Sequence, residues 1–155
     1  MKTIPYNAVY RTSIPGNRYS LMRNDVELLH RKGCFTSFTA LVMCYIDALA
    51  SPGAKSKRGR FEKFVEKNFA ELCRGLNGHF PGNSGSHTLY ERYRDGLVHG
   101  LGPKEGFALC TNDELDGAYS GEVEGAGIGR FTGINVDRLA KDFLSMVQRQ
   151  SKKAP

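Results

Sequence analysis

The stretch CFTSFTALVMCYIDALA, Cys34 to Ala50, constrains this chain more than any other. Its apolar residues fall on every side of a helical projection, whereas a helix on the surface of a domain keeps them to one stripe. It is shorter than the ~20 residues a bilayer crossing needs, and it carries Asp47. Such a segment is expected as the central helix of a bundle, with the remaining chain wrapped around it. The 155 residues are 40% hydrophobic and 25% charged, enough for one domain over 1–155 with a core that needs no metal or disulfide. Cys34, Cys44, Cys73 and Cys110 lie far apart without zinc-type spacing to a histidine, so they are expected as free thiols of a reducing, cytoplasmic compartment. The first residues, MKTIPYNAVYRTSIPGNRYS, have two prolines and no apolar run. They are therefore not expected to be a signal peptide.

Around the central helix the periodicity sets out the other elements. Residues 1–22, with Pro5, Pro15 and Gly16, are expected as an extended arm, followed by a helix from an Asn24 cap to Gly33. A basic connector, AKSKRGR, leads into an amphipathic helix on which Phe61, Phe64, Val65, Phe69 and Leu72 recur at helical spacing. RGLNGHFPGNSGS reads as a loop, and Ser86 as the cap of a helix that places Leu89, Tyr93 and Leu97 on one face and ends between Gly100 and Pro103. From Gly106 the pattern changes. GFALC and GIGRFTGINV are strand-like and flank the acidic, Gly-rich TNDELDGAYSGEVEGAG, which suggests a β-hairpin with a long tip over 106–134. Asn135 then caps a last helix carrying Leu139, Phe143, Met146 and Val147, and residues 151–155 are expected to fray. The fold class that follows is mainly α: a four- or five-helix bundle with a small β-hairpin insertion before the last helix.

Lys and Arg exceed Asp and Glu by 22 to 16, a formal charge of +6, which favours a polyanionic partner. The glycines of GAGIGRFTG do not make a dinucleotide fingerprint, because Arg130 stands where the third Gly is required. His30, His79 and His87 show no paired metal-ligand spacing and read as solvent or loop histidines, so neither metal nor cofactor is expected. His99 differs in its neighbours. At ~100° per residue Asp95 lies one turn beneath it and Arg92 two turns beneath, with Arg94 offset by roughly 140°. A guanidinium, an imidazole and a carboxylate are what metal-free phosphodiester cleavage uses: Arg94 to neutralise the phosphate, His99 to move a proton, Asp95 to orient His99. At a helix end, such side chains are expected to contribute little to packing. Tyr90 or Tyr93 could stack a base, although their helical spacing favours the core for each. Arg92 and Lys104, with the basic set Lys55, Lys57, Arg58 and Arg60, would follow the RNA backbone. The alternative for the same residues is an exposed polar helix face.

The segment RDGLVH, Arg94 to His99, resembles the signature of the HEPN superfamily (higher eukaryotes and prokaryotes nucleotide-binding domains), an Arg, a polar residue, and a His with four to six residues between Arg and His. The wider LYERYRDGLVHGLGPK and the upstream RGRFEKFVEKNF are similar to segments of small bacterial HEPN-like proteins, a resemblance spanning about residues 25–147. RNDVELLH and RGLNGH fit the bare spacing too, and context selects the third: a capped helix, aromatic neighbours, and the following Pro103 and Lys104. The resemblance implies a helical bundle that forms a homodimer, so that two Arg/His sets share one cleft. It also implies a metal-independent endoribonuclease, with a toxin or phage-defence role and an antitoxin or other protein partner. A non-catalytic HEPN-like dimer that binds nucleotide, RNA or a protein partner is the alternative it leaves open.

Overall fold

The computed structural model describes residues 17–50, 56–77 and 83–153. The first helix, α1 (Asn17–Arg31), begins seven residues before the expected Asn24 cap, which lies inside it. The cause is a stripe that two prolines upstream obscure: Tyr19, Met22 and Val26 fall three and four apart on one face and are buried. That stripe packs against α7 (Val136–Ser151) and against the apolar helix α2 (Phe35–Leu49). Residues 17–22 are thus helical rather than part of an extended arm, and the rest of that arm lies outside the described residues. Helix α2 buries Phe38, Thr39, Val42, Met43 and Ile46. It is not wrapped on every side, however, because Ser37, Cys44 and Ala48 are exposed. Thr39 is tolerated in the core because its hydroxyl donates to the Phe35 carbonyl at 2.8 Å.

Ser56 caps α3 (Lys57–Asn68), its hydroxyl accepting from the Gly59 N–H at 3.0 Å. Lys57, Arg58 and Arg60 therefore form the first turn of a helix and not a connector, while Lys55 lies outside the described residues. The expected single amphipathic helix breaks at Phe69, where φ is −132°, and resumes as α4 (Ala70–Leu76). A continuous helix follows over Gly85–Gly100, made of α5 (Gly85–Thr88), a π-helical turn (Leu89–Arg94) and α6 (Asp95–Gly100). Ser84, not Ser86, caps it, accepting from the His87 N–H. Ser86 is buried and donates to Glu66 at 2.6 Å. Taking Gly85–Gly100 as one helix gives six among the described residues, one more than the upper expectation because of the break at Phe69.

Three strands form a sheet in the order β1-β3-β2. β2 (Ser120–Gly125) and β3 (Gly129–Asn135) make the hairpin, but β1 (Phe107–Cys110) runs parallel to β3, with Phe107 opposite Thr132. The acidic, Gly-rich segment is therefore not one long tip: it supplies β2 itself, and the turn is only Ala126–Ile128. Phe107, Leu109 and Ile134 attach the sheet to the helical core. Asn135 is fully buried and joins the two layers. Its carbonyl oxygen accepts from the Asp137 and Arg138 N–H groups to cap α7, and its amide donates to the Ala118 carbonyl at 2.8 Å. Among the described residues no helix is long and apolar enough to cross a membrane.

The thiols divide by burial. Cys34 and Cys44 are exposed, whereas burial pushes Cys73 up to about 12 and also raises Cys110. A colorimetric disulfide reagent at mildly alkaline pH should titrate two thiols in the native protein and all four after denaturation.

Candidate functional site

The helix 85–100 changes winding beside the candidate site residues. The Asp95 N–H donates to the Tyr90 carbonyl five residues back, the mark of the π turn over Leu89–Arg94. Such turns are rare and cluster at functional sites. Here the turn leaves Tyr93 fully buried, its hydroxyl donating to the Thr132 carbonyl at 2.6 Å and its ring set edge-on to Phe107. Tyr93 is thus a core residue joining helix and sheet, as its spacing favoured, and base stacking by Tyr93 is set aside.

Arg94, the next residue, is the hub. Its Nε and Nη2 donate to Asp47 Oδ2 at 3.0 and 2.7 Å, and Nη1 donates to Asp95 Oδ1 at 2.9 Å and to His99 Nε2 at 3.2 Å. The guanidinium also lies over the Tyr90 ring, 5.1 Å from its centroid. Only 13% of the Arg94 side chain is exposed, against 28% for Asp47. Burial works against its charge, but the hydrogen bonds it donates to Asp47 and Asp95 outweigh it and hold the guanidinium above its ordinary pKa. Because Nε2 of His99 accepts, the ring proton of the neutral imidazole sits on Nδ1. His99 itself is exposed.

This arrangement corrects the expected role of Asp95. Asp95 accepts from Arg94, and it is the longer Arg94 side chain that meets His99. Asp47 was not among the expected site residues. Its signal was present in the sequence: a lone carboxylate in the most apolar helix is there at a cost unless a buried cation pairs with it.

After α6 the chain folds back on the helix. Leu101 ends it in the left-handed region, and its N–H donates to the Gly96 carbonyl. The Lys104 N–H donates to the Arg92 carbonyl at 2.9 Å. Lys104 Nζ stands 3.7 Å from Glu91 and 3.9 Å from Asp95. Glu91 in turn accepts from Arg58, which also pairs with Glu62 at 2.9 Å. A continuous line of charges thus runs from α3 to His99. Arg58 and Lys104 are tied into it, Lys57 is exposed, Arg60 is half-buried, and Arg92 lies over the Phe107 ring at 5.6 Å. Tyr90 is half-buried, set edge-on to Phe61 and covered on one side by Arg94.

The remaining histidines are not bland. His30 Nε2 is 2.7 Å from Asp137 Oδ1, with its ring against Phe35 and Phe38, which ties the end of α1 to the start of α7. His87 Nδ1 is 3.1 Å from Glu62. His79 lies outside the described residues. Among the described residues, no group of three or more His, Cys, Asp or Glu is placed to hold a metal ion. No protein-family model matches the chain, and no curated protein and no solved structure matches it either.

Proposed function

We propose that the chain is a HEPN-like, metal-independent endoribonuclease in which Arg94 and His99 act on one phosphodiester of single-stranded RNA. The observation that carries this reading is the 3.2 Å contact between Arg94 Nη1 and His99 Nε2 at an exposed helix end. It puts a fixed cation beside an imidazole lone pair, the two groups that a phosphate and its neighbouring hydroxyl would each need. In the proposed reaction the phosphate takes the Arg94 N–H, freeing His99 Nε2. His99 Nε2 accepts the proton of the 2′-hydroxyl as that oxygen attacks the phosphorus. The 5′-oxygen leaves and takes the proton back from His99, giving a 2′,3′-cyclic phosphate and a 5′-hydroxyl. Asp47 and Asp95 hold the guanidinium in place. A homodimer that brings two such sets together is part of the proposal, as is a toxin or defence role with a protein antitoxin.

One observation favours a second reading. Asp47 and Asp95 already match the charge of Arg94, which suits a dimer that binds nucleotide, RNA or a protein partner without turnover. Incubating the purified protein with mixed single-stranded RNA in excess EDTA decides between them. Cleavage undiminished by the chelator, with cyclic-phosphate ends, is the expected result. Intact RNA in every buffer would leave the binding reading, and light scattering should show a dimer at tens of micromolar.

A further inference from the structure

Leu101 is the most exposed of the large apolar residues among those described, at 86%. A single exposed leucine is ordinary. This one is not, because its φ of 64° and ψ of 13° place a branched side chain in the left-handed region at the end of α6. Glycine takes that conformation freely and is the usual residue there, and glycines stand on both sides, at Gly100 and Gly102. The strain is not offset by packing within the chain, since the side chain lies in solvent. Strained conformations persist where surrounding bonds over-determine them, and they cluster at functional sites.

The tip is also held at a defined place. The Leu101 and Gly102 N–H groups both donate to the Gly96 carbonyl, and the Lys104 N–H donates to Arg92. Leu101 therefore projects from the turn that carries His99, two residues away. We infer that Leu101 is a substrate-contacting residue, packing against the face of an unstacked nucleobase beside the phosphate at Arg94 and His99. This rests on the ribonuclease reading and adds how the site selects single strands. An apolar side chain finds a π-face on any base, but only where the base is not already stacked in a duplex.

The test compares wild type, Leu101→Gly and Leu101→Phe on single-stranded RNA of mixed sequence. Leu101→Gly relieves the left-handed strain, so its melting temperature should rise by about 2 °C. Its kcat/KM should nevertheless fall by about tenfold, carried by KM with kcat nearly unchanged. Leu101→Phe, which keeps an apolar face for the base, should retain most of the activity. Unchanged cleavage by Leu101→Gly, in a wild type that cuts RNA, overturns the inference alone. Loss of the dimer in Leu101→Gly by light scattering also overturns it, because the leucine would then be covering a second copy. A wild type that neither binds nor cuts RNA removes the ribonuclease reading and the inference with it.

Discussion

Gly96→Ala should lower the melting temperature by about 6–12 °C, taking ~3 kcal/mol of overpacking and 2–4 °C per kcal/mol for a chain of this size. Helix propensity alone argues the opposite sign, since alanine is favoured over glycine by about 1 kcal/mol inside a helix. Packing decides against it. A Cβ at Gly96 would sit 2.5 Å from the Gly102 carbonyl oxygen, 2.8 Å from the Lys104 nitrogen and 3.0 Å from the Pro103 carbonyl carbon. All three are backbone atoms, so no rotamer change relieves the contact, and the 101–104 turn must lift off the helix. That movement breaks the Lys104 N–H bond to Arg92 and takes Lys104 away from Glu91 and Asp95. Hydrogen exchange should show the Lys104 amide losing protection before the core does. A variant that melts higher than wild type would show that the turn does not rest on the helix at Gly96.

Arg94→Ala and His99→Ala should part company, and the difference tests the site. Both are expected to reduce RNA cleavage by about 100- to 10,000-fold, the usual worth of positioned proton transfer and charge stabilisation. His99 is exposed and its one hydrogen bond is to Arg94, so His99→Ala should melt within about 1 °C of wild type. Arg94 is 13% exposed between two carboxylates, and its removal leaves Asp47 without its partner, at about 1–3 kcal/mol, while Asp95 keeps Lys104 at 3.9 Å. The expectation from sequence, that neither side chain matters to packing, is therefore kept for the exposed His99 and revised for Arg94. Adding Asp47→Ala to Arg94→Ala should recover part of the lost melting temperature without restoring cleavage, because removing both partners of a buried pair costs less than removing one. Equal melting of all the variants would mean that Asp47 and Arg94 do not pair.

Much of the helical layout was legible because helices are local. Phe35–Leu49, the Asn135 cap and the buried stripe of Leu139, Phe143, Met146 and Val147 follow from spacing within a few residues. The start of α1 was misread because Pro5 and Pro15 drew attention from Tyr19, Met22 and Val26, whose spacing was there to be counted. Arg94 and His99 could be singled out from one segment, and the structure brings them together. Their relation to each other could not, since an ideal 100° helix sets Asp95 beneath His99, whereas in the folded chain the Arg94 side chain reaches it. The parallel pairing of β1 with β3, the burial of Tyr93 under Thr132 and the approach of Asp47 from α2 each join residues more than twenty positions apart. Sequence by itself determined most of the helical segments and which residues are candidates for chemistry, because periodicity, caps and residue type act over one or two turns. Only the tertiary structure decided which carboxylate holds Arg94 and why residue 96 is glycine, because both depend on what the rest of the chain places against that helix.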